Sequence, residues 1–524
     1  MPDDRPLPPD SPLGPFDPAA FRLATGATAG DAVPRAAREL FAGETIAIPI
    51  TPPFAGYSRG VDPFADIAAW ARDPGPPTRP PLAWLAAPER KAGVRIDRDG
   101  ASFRDGAGTA PLALAPRHPL NRSWVDASTF RYLAGRSVTM RGEARADGAF
   151  VARTLWPDDW RVDPAAPAVR VAGSRTPRLA IRGLARSAER GGADSPPETH
   201  PLWERTPGDR DWTGKPVLAF VLSGAQGDDD EAWGGHLALA TGRLGAGGRL
   251  ADLLAANFYT LDHESEKGIL PAPVPLDNYL ADLNSGQAWY RPSYVMVAVL
   301  RDGRAVERVQ GALHRLYLQF WRRQLPYRHS SMNCASIAVD LLRALGWTLA
   351  SRGPSDRLRA WLAIPAKAFT DGRLAAARTA FEYLAEDRTR LMPAAAFEEA
   401  AFGLLRLARG ALEPGDGELA RMLAEDLEAL VGVRLPQIPS SRAWGTWPAA
   451  SPREYLNRLP ADPAQLQVIP VPPRPFPPGL RDPDLLPPPP RSSTLPVIAW
   501  TLCGILPLAF AAGLLWRAVR RARR

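Results

Sequence analysis

Hydrophobic periodicity changes along this chain. Period-two alternation and short unbroken apolar runs, which mark strands, dominate the first half; stripes at three- and four-residue steps, which mark helices, dominate the second. Residues 43–50 (GETIAIPI) predict a strand, and residues 66–72 (DIAAWAR) a short helix stopped by Asp73-Pro74-Gly75. Residues 94–103 predict a hairpin turned at Asp99-Gly100, and residues 136–157 a second one turned at Asp147-Gly148. Further strands are expected at 216–224 (PVLAFVLSG), 235–242 (GHLALATG) and 294–300 (YVMVAVL), with a helix-like stretch at 250–256. Amphipathic helices are expected at 306–324 and at 334–346, the latter ended by Gly346. Residues 372–386, 394–412 and 417–430 carry apolar stripes of helical period and read as a small bundle.

These elements give an α+β chain in eight parts. A poorly ordered N-terminus (1–35) precedes a β-rich accessory domain (36–183) and a linker (184–213). A mixed domain (214–352), a helical extension (353–435) and a proline-rich spacer (436–494) follow. The chain ends in an apolar run (495–516) and a basic tail (517–524). Apolar residues make up 45% of the chain, enough to exclude global disorder. The formal charge of +8 is spread along 524 residues, without zinc-finger spacing or basic-aromatic interleaving, so nucleic acid is excluded as a partner. Two isolated cysteines exclude a disulfide framework and a thiolate metal site. No metal or other cofactor is expected. Abundant alanine and arginine point to a GC-rich bacterial genome.

The apolar run LPVIAWTLCGILPLAFAAGLLW carries no charge and is long enough to cross a bilayer core of about 30 Å as a helix. An arginine cluster follows it directly. The expectation is one C-terminal transmembrane helix that anchors the protein in the bacterial inner membrane, with the lipid bilayer as partner. Two signals conflict over the side that carries the body. The first residues lack the apolar core of a secretory signal, which favours the cytoplasm; the basic tail favours the opposite face.

The candidate chemistry lies in His236, which opens a predicted strand, and Cys334, which opens a predicted helix. A thiol at a helix N-terminus feels the positive end of the macrodipole, which favours thiolate. A strand-borne histidine is a usual base for such a nucleophile. The structural alternative is a small buried cysteine and a satisfied core histidine. Oxyanion donors would be the Cys334 N–H and one of Tyr327, Asn333 or His329. His329 is also a rival base. A further alternative is a metal-dependent site built from Asp228–Asp230 with His236. The remaining histidines, His118, His200 and His314, read as structural or exposed.

The order of histidine on a strand and then cysteine on a helix, with Gly235-His236 and Asn333-Cys334, resembles the permuted papain-like (NlpC-type) cysteine hydrolase superfamily. Within it, residues 214–350 are most similar to the Lnb N-terminal periplasmic domain family. Lecithin:retinol acyltransferase-like proteins are more distant cousins. The resemblance implies a permuted papain-like domain and attack of a Cys334 thiolate on an amide or ester to give a thioacyl intermediate. It also implies an orienting residue for His236 on the next strand, with His263 ahead of Asn257 and Asp262. The substrate would be amide- or ester-containing, with envelope and lipid-linked molecules as candidates. The alternative is an inactive membrane-anchored binding protein with the same domain. The second predicted hairpin, ending in Trp156-Pro157, resembles part of a small barrel such as the OB-fold.

Overall fold

The computed structural model describes residues 18–30, 43–51, 60–75, 78–115, 125–169, 177–185, 196–224, 234–259, 271–283, 291–322, 324–355, 374–440 and 449–451, with scattered single positions besides. Three sheets organise the chain. The first joins β1 (Phe21–Thr25), β2 (Thr45–Pro49) and β3 (Ala83–Ala86) in that order. The second is a closed barrel of β4 (Glu89–Ile96), β5 (Ser102–Asp105), β6 (Gly108–Leu114), β7 (Val138–Ala144) and β8 (Phe150–Pro157), ordered β4-β5-β6-β8-β7. Both expected hairpins are strands of this barrel. Gly142 permits the closure, because a Cβ there would lie 2.2 Å from the Val151 carbonyl oxygen.

The third sheet has seven strands and carries the main core. It adds β9 (Glu198–Glu204), β10 (Pro216–Ser223), β11 (His236–Arg243), β12 (Leu254–Ala256), β13 (Pro273–Pro275), β14 (Ser293–Leu300) and β15 (Leu427–Leu435), in the order β13-β12-β11-β10-β14-β15-β9. Strand β10 lies between β11 and β14, and all of its side chains are buried. That double burial explains its unbroken apolar sequence. The helices Arg304–Trp321, Cys334–Ala344 and Pro393–Ala408 pack against this sheet.

Several expectations need correction. Residues 21–25, placed in the disordered N-terminus, form β1 and pair with β2. The helix-like stretch 250–256 ends in β12; its side chains are buried throughout that strand, so its apolar run had no period to distinguish strand from helix. The linker contains β9, which pairs with β15. The helix expected at 417–430 stops at Asp426, and the chain continues without a turn residue into β15. Residues 427–435 are therefore an internal strand of the main sheet, and the boundary drawn at 352/353 does not separate two domains.

The transmembrane expectation is also corrected. Among the described residues no helix is long and apolar enough to cross a membrane. The helix Arg304–Trp321 has 18 residues, but Arg304, Glu307, Arg308 and Arg315 interrupt its apolar face. Residues 495–516 lie outside the described residues. The C-terminal transmembrane helix, the inner-membrane localisation and the bilayer as partner are accordingly withdrawn.

The barrel docks on the main sheet through buried ions. Arg141 of β7 pairs with Asp277 at 2.6 Å, and Arg153 of β8 pairs with Asp282 at 3.1 Å and Glu44 at 2.8 Å. Asp277 opens the helix Leu276–Ala281 and Asp282 caps its end. Burial lowers the Arg153 pKa, but Asp282 and Glu44 outweigh it and hold the guanidinium firmly charged. Replacing Arg153 with Met would leave two carboxylates without their cation. A loss of about 3–5 kcal/mol in urea unfolding is expected; a loss below about 1 kcal/mol would show that the pair does not hold the barrel in place.

His314, on the helix Arg304–Trp321, is a buried structural histidine whose Nδ1 donates to the Thr78 carbonyl at 3.0 Å. Burial lowers its pKa to about 3, and the bond to Thr78 offsets only part of this. The unfolded chain therefore binds a proton that the folded chain refuses. This histidine's contribution is fully present above its unfolded pKa of about 6.5 and is lost as pH falls towards 3. By about pH 4.5 the loss should be about 2–3 kcal/mol. His314→Gln should flatten that part of the pH–stability profile; an unchanged slope would assign acid sensitivity to other groups.

Candidate functional site

Cys334 is the first residue of the helix Cys334–Ala344, and Asn333 is its N-cap. The Asn333 side-chain oxygen accepts from the N–H groups of Ala335 at 2.9 Å and Ser336 at 3.1 Å. In return, the Asn333 N–H donates to Ser336 Oγ at 2.7 Å, completing a reciprocal cap. The Asn333 amide nitrogen donates to the carbonyls of His329 and Leu391, each at 2.9 Å. The cap thus joins the helix start, the loop before it and the C-terminal helices.

His236 opens β11 directly after Gly235, whose φ of +75° turns the chain into the strand. Its register partner on β10 is Ser223, which in turn pairs with Ser293 on β14. The Cys334 helix packs on β11, and the Leu237 N–H donates towards the Cys334 thiol. The residue after His236 thus contacts the sulfur. Both side chains are buried, Cys334 at 7% and His236 at 3% exposure.

Burial pushes the Cys334 thiol above its ordinary pKa. The Leu237 N–H, the Tyr327 hydroxyl and the N–H groups of Ala335 and Cys334 itself pull the other way without overcoming it. This corrects the expectation of a thiolate made by the helix dipole. The resting sulfur carries its proton, because a short amphipathic helix end contributes less than near-complete removal from water costs.

Tyr327 stands where an oxyanion donor was expected. Its hydroxyl donates towards the sulfur and receives the Cys334 N–H, while burial holds its own pKa well above the ordinary value. Asn333 does not fill that role, because its oxygen and nitrogen are already occupied in the cap. His329 stacks edge-on against Tyr327, with ring centres 5.2 Å apart, and against Tyr259 at 6.2 Å. It belongs to an aromatic group with Tyr327 and Tyr259. Asn257 follows β12, one step beyond the registered pair Leu239–Ala256. It is buried, and its side-chain oxygen makes no hydrogen bond, so that oxygen does not hold the imidazole of His236. Asp262, His263 and Asp228–Asp230 lie outside the described residues, as does His118. His200 sits on β9 beside Glu198 at 3.1 Å, away from the site strands. Among the described residues no cluster of three or more His, Cys, Asp or Glu side chains could hold a metal ion.

Two residues that no motif announced also reach the site. The Tyr279 ring lies 6.2 Å from the His236 ring at an angle of 42°. Charge on Cys334 raises the Tyr279 pKa further, after the larger effect of burial, so its hydroxyl lies in the field of the sulfur. Ser223 is the second, placed by strand register. The two hydroxyls face each other, and neither finds a further hydrogen-bond partner. Only register and helix placement expose these two, because neither stands at a distinctive sequence spacing.

No family model matches the chain, and no curated protein or solved structure matches it either.

Because burial raises the Cys334 pKa, iodoacetamide labelling should be slow at pH 6 and should still be rising above about pH 8.5, the value for an ordinary thiol. A labelling midpoint below pH 7 would overturn the protonated resting thiol.

Proposed function

We propose that the protein is a cysteine hydrolase or acyltransferase of permuted papain-like type acting on an amide or ester. The observation that carries this reading is the meeting of Cys334, at a capped helix N-terminus, with the start of β11, where His236 stands. The resemblance of residues 214–350 to the NlpC-type superfamily and the Lnb N-terminal periplasmic domain family supports it. So does the arrangement of donors around the sulfur.

In this reading the proton leaves Cys334 during attack rather than before it. His236 accepts the proton as the sulfur bonds to the acyl carbon, and the carbonyl oxygen gains the negative charge. Collapse of the tetrahedral species expels the amine or alcohol, to which His236 returns the proton. Water or a second nucleophile then resolves the thioacyl group. The Tyr327 hydroxyl and the Cys334 N–H lie on the sulfur's side of the reaction and suit the developing oxyanion once substrate displaces their mutual contact.

A second reading is a binding protein that has kept the fold without the activity. The burial of Cys334 and the unengaged side-chain oxygen of Asn257 favour it. A thiol-directed alkylating probe that carries a carbonyl and a carboxylate leaving group separates the two. An acyloxymethyl ketone should label wild-type protein at Cys334, lose the signal in Cys334→Ala, and lose at least about 100-fold in rate in His236→Ala. Equal labelling of wild type and His236→Ala would favour the inactive reading.

A further inference from the structure

We propose that the Tyr279 hydroxyl, with Ser223 beside it, donates to the acyl oxygen of the group attacked by Cys334, and that Arg141 and Arg153 of the barrel are positioning residues for it. The proposal rests on the acyl-transfer reading above. Tyr279 and Ser223 are each at least nine-tenths buried, and the two hydroxyls lie close together. They face each other as a pair, and neither finds a partner beyond the other. Two hydroxyls bonded to each other use one O–H and leave the second without an acceptor, which is costly in a buried place. That free O–H, next to a thiol and an imidazole, marks a place for an oxygen of something bound.

The chemistry matches that vacancy. As the Cys334 Sγ–C bond forms, the carbonyl π pair moves onto oxygen and the thiol proton passes to His236. The new oxyanion needs neutral donors that give no proton away outright. Burial, the largest effect on Tyr279, raises its pKa and keeps its O–H intact through the neutral range. When the tetrahedral species collapses, the pair returns to carbon, the leaving group departs with the proton from His236, and Tyr279 is unchanged.

The placement of Tyr279 is not left to its own helix. Leu276–Ala281 has six residues, too few to be stable alone. Arg141 holds Asp277 at its start, and Arg153 holds Asp282 at its end. The Leu283 N–H also donates to the Arg153 carbonyl at 2.8 Å, and the Asn278 side-chain nitrogen donates to the Leu85 carbonyl of β3. Both ends of the helix, and its middle, are therefore tied to the N-terminal sheets. The barrel completes the site from outside the papain-like segment.

The test compares two reactions of Cys334 in the full chain, both followed by intact mass at pH 8.5. Acetylation by p-nitrophenyl acetate passes through an oxyanion; alkylation by iodoacetamide does not. Tyr279→Phe should slow acetylation about 10- to 100-fold while alkylation stays within about twofold of wild type. Arg153→Lys, which keeps the charge but loses the two-pronged grip, should slow acetylation about three- to tenfold with alkylation again preserved. Thermal unfolding of each variant checks that the fold survives; Tyr279→Phe loses only the contact with the Ser223 hydroxyl and should stay folded at the assay temperature. Unchanged acetylation in Tyr279→Phe would overturn the proposal and leave the Cys334–His236 reading standing. An equal loss in both reactions would overturn it by showing a structural role only. Wild-type protein that alkylates independently of His236 and is never acetylated at Cys334 would overturn the acyl-transfer reading and this proposal with it.

Discussion

The side-chain amide of Asn333 uses its full hydrogen-bonding capacity where three parts of the chain meet. Its oxygen satisfies two N–H groups at the start of the Cys334 helix, and its nitrogen binds carbonyls of the preceding loop and of the C-terminal helices. A helix start that is buried must find partners for its free N–H groups. Here one residue finds them and at the same time sets where the helix begins. Because Cys334 is the next residue, the cap also fixes the sulfur against β11. Every other contact of the site assumes that position: the Leu237 N–H, the Tyr327 hydroxyl and the neighbouring Tyr279 are useful only with the sulfur held there.

Burial acts on this site in two directions. It raises the thiol pKa, so the resting thiol is neutral, and the proposed attack needs a base at the moment it occurs. It also keeps Tyr279 and Tyr327 as O–H groups, able to donate to an oxyanion without ionising. The same dry surroundings that suppress a free thiolate strengthen each hydrogen bond offered to a developing charge. Buried ions do related work further out. Asp277 and Asp282 face barrel arginines in the core, although burial still raises the Asp277 pKa, and that pairing orients the short helix between them.

Much of the central sheet was legible because its strands announce themselves locally. The runs at 216–224, 235–242 and 294–300 became β10, β11 and β14, and Gly346, in the left-handed region at φ +88°, ends the Cys334 helix region as expected. The histidine and cysteine were legible for the same reason, each standing at an element's first residue. Elsewhere local pattern misled. The segment 417–430 keeps a helical stripe across Asp426, yet β15 is buried between β14 and β9, and Val431 and Val433 suit a strand with neighbours on both sides. β9, amid Pro, Gly and charged residues, is an edge strand whose partner lies more than half the main domain away in sequence. Ser223 and Tyr279 were illegible for a further reason: register and an interface, neither of them local, bring them to the sulfur.

The course of β15 changes what the parts of this protein can be. An internal strand cannot be removed without exposing the edges of both its neighbours. Residues 427–435 pair with β14 on one side and β9 on the other. The segments before and after residues 214–352 therefore close one sheet together: β9 comes from upstream of it and β15 from downstream. A unit cut at 214 and 352 would lose both strands, the helix Pro393–Ala408 that packs on β10 and β11, and the Leu391 carbonyl that completes the Asn333 cap. It would also lose the barrel arginines that hold the Tyr279 helix. The residues that suggest a compact catalytic module thus depend on chain that lies outside it, and the site is a property of the assembled sheets rather than of the motif that first reveals it.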